Sequence, residues 1–152
     1  MGFGTDEAKR IIAQRDANRR AGERQIGKLE IVKKGRDRLW EDLNSEIALN
    51  IQDFVKELPN SRLRALRSNK HDLTVDRNVE PVIRLEITFD PEAGEIEVSF
   101  WKQYSDDVEP KRRVRFDVAS DDRVVFAYNG SQMSPTELAE QLLTPVFHSC
   151  RV

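Results

Sequence analysis

The residues best suited to nucleophilic or acid–base chemistry are two histidines, His71 and His148, and one cysteine, Cys150. Such chemistry needs a nucleophile, a base and an orienting group gathered in one place. His148 and Cys150 stand two positions apart, which on a helix turns them to different faces, and Cys150 lies where a fraying terminus spoils geometry. They read as a surface histidine and an inert thiol, so no catalytic residue is assigned. Neither histidine has a partner at ligand spacing and there is no second cysteine, so no metal ligand is assigned either. The acidic groups Asp106, Asp107 and Glu109, and Asp121 with Asp122, lack the ligand ladder of a calcium loop and read as solvated turns. Gly2 and Gly4 precede no strand, and Gly22, Gly27 and Gly35 are too far apart to cradle a phosphate, so no cofactor is expected.

Charge is a stronger signal than chemistry. Residues 1–38 hold eleven basic and six acidic side chains, a net +5, whereas residues 39–152 hold 14 and 21, a net −7. A basic segment on an acidic body suits nucleic acid, an anionic surface or the acidic body of a neighbouring subunit. The basic positions spread around a helical wheel and acids are interleaved among them, which favours a solvated helix that associates with protein over a nucleic-acid reader. The second basic run, Lys111, Arg112, Arg113 and Arg115, splits across two faces if it is a strand. Arg113 and Arg115 then stand beside Glu97, and Arg84 near Glu95 or Glu97, as cross-strand ion pairs. Trp101 shares its strand parity with Glu97 and Ser99. It is either an exposed interface anchor or is covered, by a bulge or by the N-terminal segment.

The elements that position these residues follow from periodicity. Trp40, Leu43, Ile47, Ile51, Phe54 and Leu58 recur at steps of three and four, one face of an α-helix over residues 39–58 that Pro59 terminates. Upstream the same face continues only in patches through Leu29, Ile26, Ile11 and Ala8, and each glycine in the segment costs about 1 kcal/mol relative to alanine. One helix over residues 6–58 would be about 80 Å long. Such a helix would project from a body whose radius of gyration is about 13 Å. A break near Gly22 or Gly35 is the alternative.

Period-two alternation then takes over. Ile83, Leu85, Ile87 and Phe89 oppose Arg84, Glu86 and Thr88, and the Asp90–Gly94 turn leads to a strand over Glu95–Tyr104. Further strands are expected over Arg112–Val118 and Arg123–Tyr128, with a weaker first strand over Leu73–Val79. Ser134, Pro135 and Glu137 spell a capping box that opens a helix over residues 134–149, which Pro145 should kink or stop.

The expected fold is α+β: an antiparallel β-meander of four or five strands packed by a long N-terminal helix and a C-terminal helix. Residues 1–38 form a basic helical arm and residues 39–152 the body, with the meander over residues 73–128. The lone cysteine, the lack of an apolar leader and the absence of any window of about 18 apolar residues point to a cytoplasmic protein with no membrane span. Function is read as non-enzymatic interaction or assembly, adaptor-like. The arm (residues 6–38) would make a homo-oligomer or take a protein partner, through Ile11, Ile12, Ile26, Leu29 and Trp101. Two alternatives stand beside it. One is a nucleic-acid-binding accessory protein using Arg15, Arg19, Arg20, Arg24 and Lys28; the other is a small-ligand binder or enzyme with its site between sheet and helices.

Overall fold

The computed structural model describes residues 2–105 and 109–150 of the chain; Asp106 and Asp107 lie outside the described residues. The first helix, α1, runs unbroken over Phe3–Glu57, 55 residues. Neither Gly22 nor Gly35 interrupts it. Its C-terminal part seats Leu39, Trp40, Leu43, Ile47 and Ile51 in the core. The Trp40 indole N–H donates to the Lys70 carbonyl at 2.9 Å, fixing the helix to the first hairpin. The helix stops where Pro59 opens a single 3-10 turn (Pro59–Ser61), and Arg62 follows at φ 50°.

Seven strands follow in one antiparallel sheet, each paired with its neighbour in sequence: β1 (Leu63–Asn69), β2 (Asp72–Arg77), β3 (Ile83–Asp90), β4 (Glu95–Lys102), β5 (Arg112–Val118), β6 (Val124–Tyr128) and β7 (Ser131–Met133). The meander is thus larger than the expected four or five strands and extends past the expected 73–128 span at both ends. The two additional strands are the edges. In β1 only Leu63 is buried, so the apolar alternation that marks a half-buried strand is missing. β7 is three residues long and too short to display any period.

The register puts Ile83, Leu85, Ile87 and Phe89 of β3 on one face with Phe100, Val98 and Ile96 of β4, and both helices cover that face. The second helix, α2 (Pro135–Ser149), begins with the expected reciprocal cap: Glu137 N–H donates to Ser134 Oγ at 3.2 Å, and Ser134 N–H to Glu137 Oε1 at 3.3 Å. Pro145 does not stop it. Leu142, Leu143 and Val146 are buried on either side of the proline, so tertiary packing holds the helix through the missing hydrogen bond. The two helices touch near their C-termini, where the rings of Phe54 and Phe147 stack with centroids 4.2 Å apart. Among the described residues, no helix is long and apolar enough to cross a membrane.

Candidate interaction surfaces

The arm is built by a helix whose second half is anchored and whose first half is not. Every residue from Ala8 to Ile26 is exposed, and the side chains begin to be covered at Ile31 and Val32. Five large apolar residues therefore face solvent on the free length: Phe3 (79%), Ile11 (47%), Ile12 (59%), Ile26 (59%) and Leu29 (56%). Ile26 and Leu29, three apart, share one side of the helix, and the stripe continues toward the core-facing Leu39 and Trp40. Ile11 and Ile12 form a second apolar point near the tip.

Arg15, Arg19, Arg20, Arg24 and Lys28 are all exposed as well, but they make no continuous cationic track. Arg19 lies 3.9 Å from both Asp16 and Glu23, and Arg10 lies 2.8 Å from Glu7, so acids on the same helix offset part of the charge. Lys28 reaches the body electrostatically. Asp117 of β5 is held below the usual carboxylate range by the Gln132 amide at 3.0 Å and the Val118 N–H at 2.8 Å, with the Lys28 charge acting the same way.

Trp101 is 53% exposed on the opposite face of the sheet from α1, so the structure does not bring it together with the arm. It flanks an open groove of about 500 Å³ with Val82, Arg84, Glu86 and Ser99. That face carries ion pairs, with shifted partners. Arg113 meets Glu95 at 3.5 Å, Lys111 meets Glu97 at 3.2 Å, and Arg84 approaches Glu86 at 3.8 Å rather than Glu95 or Glu97. The reason is register: on the β4 side Arg84 sits opposite Trp101, and on the β2 side opposite Asp76, whose carboxylate is taken by Arg64 at 2.6 Å. Tyr104, 76% exposed, donates its hydroxyl to Glu80 at 2.7 Å. The expected strand over Glu95–Tyr104 would have turned Tyr104 inward with Ile96 and Phe100, but β4 ends at Lys102 and the ring is left exposed.

Of the residues suited to chemistry, His148 and Cys150 line one open depression of about 260 Å³ with Phe54, Leu58 and Phe147, and His71 is not among its lining. Burial pushes the Cys150 thiol up from its ordinary value, against the pull of Arg77, and a raised thiol is a poor nucleophile. His148 is exposed, and His71 packs edge-on to Phe89. Between sheet and α2, the cavity lined by Leu85, Val98, Arg112, Tyr128 and Leu142 has about 20 Å³, the room of one water. An open depression of about 320 Å³ at the end of α2 is lined by Phe100, Lys102, Ser105, Glu109, Pro145, His148 and Ser149. Among the described residues no three His, Cys, Asp or Glu side chains gather as a metal site. Comparison of the chain with known protein families, with curated proteins and with solved structures finds no match.

Proposed function

We propose that the protein is a non-enzymatic assembly or adaptor module whose body anchors a helical arm that associates with protein. The observation carrying this reading is the arm itself: a helix continuous with the core helix, exposed from Ala8 to Ile26, that keeps Ile11, Ile12, Ile26 and Leu29 in water. An isolated surface helix of this kind gains little from its own sequence, since Gly22 and Gly27 each disfavour it by about 1 kcal/mol, and most helical stability in proteins comes from packing an apolar side. A partner along that side supplies the missing packing. The dispersed basic residues and their intrahelical acids weigh against nucleic acid as that partner, and the one-water cavity gives a ligand reading little support.

Light scattering after size exclusion tests this. The chain is expected to run as a dimer or larger, and the double variant Ile26→Asp, Leu29→Asp as a monomer with an unchanged fold by circular dichroism. A natural chain that stays monomeric at high concentration counts against the reading.

A further inference from the structure

We infer that the arm docks on the open face of the sheet in a second copy of this chain, each copy laying its arm across the other. The inference rests on the assembly reading and specifies it. It comes from which residues share a side of α1. At about 100° per residue, Ile11, Arg15, Arg19, Ile26 and Leu29 fall within an arc of about 80°. No acid of residues 8–29 lies in that arc, and Arg20, Arg24 and Lys28 fall outside it. The arm therefore offers one side that is apolar at both ends and cationic between them.

The open face of the sheet is the complement. Register places Asp72, Asp76, Glu86, Asp90, Glu95 and Glu97 of β2, β3 and β4 on it, against one base of those strands, Arg84. Arg64 takes Asp76, and Arg113 and Lys111 take Glu95 and Glu97. Among the described residues Asp72 makes no ion pair, and Glu86 meets only Arg84, at 3.8 Å. These two acids stand in adjoining grooves that share Glu86, one of about 500 Å³ flanked by Trp101 and one of about 270 Å³ lined by Asp72. Charge and an exposed aromatic anchor thus lie side by side. Spacing agrees. Trp101 and Asp72 are two strands and four residues apart, about 17 Å, and Ile26 and Arg15 are about 17 Å apart along the helix. Ile26 and Leu29 over Trp101 bring Arg15 to Asp72 and Arg19 to Glu86.

The same arc holds Trp40, Ile47 and Ile51, which seat α1 on its own sheet. The arm therefore leaves the body facing the way the core helix faces, toward a sheet set end to end with its own. The inner side of that second sheet lies under its own two helices, so the side it presents to the arm is the outer one. A two-fold axis repeats the contact, and each sheet becomes covered on both sides. Because α1 is unbroken, no arm can turn back onto its own outer face.

The test is disulfide capture between two variants of the full chain, Ile26→Cys and Ser99→Cys, mixed and mildly oxidised. Ser99 stands two residues from Trp101 and directly opposite Glu86. Cys150 is 7% exposed and stays in place, with the natural chain treated alike as the control. The mixture is expected to give the mixed disulfide, recognised by its mass, and neither variant alone a crosslinked pair. A dimer by light scattering that yields no mixed disulfide, or that crosslinks Ile26→Cys to itself, overturns this inference and leaves the assembly reading standing. A monomer overturns both. A charge exchange gives a check without oxidation: Glu86→Lys should weaken dimerisation about threefold to tenfold, and adding Arg19→Glu should restore it. Failure of the second change to restore the dimer counts against this placement of the arm.

Discussion

Gly35 of α1 lies directly against Val124 of β6: a Cβ added at Gly35 would stand 2.6 Å from the Val124 Cγ2 and 3.2 Å from its Cβ. The glycine expected to be a weak point in the helix is a point of close approach between helix and sheet. One residue on, the Arg36 guanidinium lies 5.7 Å from the centre of the Phe89 ring, a cation–π contact beside that close approach.

Gly35→Ala should therefore lower stability although alanine is the better helix former. The propensity gain of about 1 kcal/mol is set against overpacking worth about 1–3 kcal/mol, and the net loss should appear as a lower denaturation midpoint. Gly27→Ala, with open space around the new methyl, should instead raise helix content. Equal effects at the two sites would mean that the close approach to Val124 carries no energy.

Trp40→Phe should cost about 1–2 kcal/mol. Trp40 is 1% exposed, its ring centre is 5.8 Å from that of Phe89, and its N–H bonds the Lys70 carbonyl. That carbonyl also accepts from Arg67 at 2.6 Å, so it is not orphaned and the main loss is packing. Hydrogen exchange should show faster opening of the β1–β2 hairpin in the variant.

Acid should weaken the fold partly through Asp117 and Glu41. Asp117 is held low by Gln132 and the Val118 N–H, and Glu41 by the Arg67 guanidinium at 2.7 Å, with desolvation opposing both shifts. A carboxyl whose folded value is depressed contributes stability that is complete above its unfolded value, about 4, and that disappears as pH falls through the folded value. Asp117→Asn should lower stability at neutral pH, where the contribution of the carboxylate is complete, and flatten the acid limb of a stability–pH curve, so that the two chains converge as pH falls. A limb as steep as that of the natural chain would show that Asp117 is not a contributor.

Titration with duplex and single-stranded oligonucleotides should show no tight binding at physiological salt. Arg15, Arg19, Arg20, Arg24 and Lys28 are spread around the helix, and the acids between them repel phosphate. Binding that persists at physiological salt, with a steep salt slope lost on Arg19→Ala and Arg20→Ala, would favour the nucleic-acid alternative.

How much of this was legible in the sequence depended on burial. The central strands wrote their alternation plainly because β3 buries one side and wets the other residue by residue, and β4 buries Ile96 and Val98 between half-covered polar neighbours. The edge strands did not, since β1 exposes Arg64, Leu66 and Arg67 and buries little to set the contrast. Pro145 was read by its local rule, and the buried Leu142, Leu143 and Val146 overrode it. Trp101 was placed on the outer face by parity, and it is exposed there. The arm residues are marked by type, but their common exposure follows from the passage of the helix through Gly22 and Gly35 without a break.

That continuity has a rotational consequence. Because α1 is one helix from Phe3 to Glu57, the seating of Trp40 and Leu43 in the core dictates the compass direction in which Ile26 and Leu29 point, many residues away. A single residue inserted between Glu30 and Ile31 would swing the whole arm by about 100° while lengthening it by only about 1.5 Å. A seven-residue insertion would nearly restore the bearing at a longer reach. The exposed side carrying Ile26 and Leu29 is thus held in phase with the core, and on the proposed assembly reading errors of angle should harm association more than errors of distance.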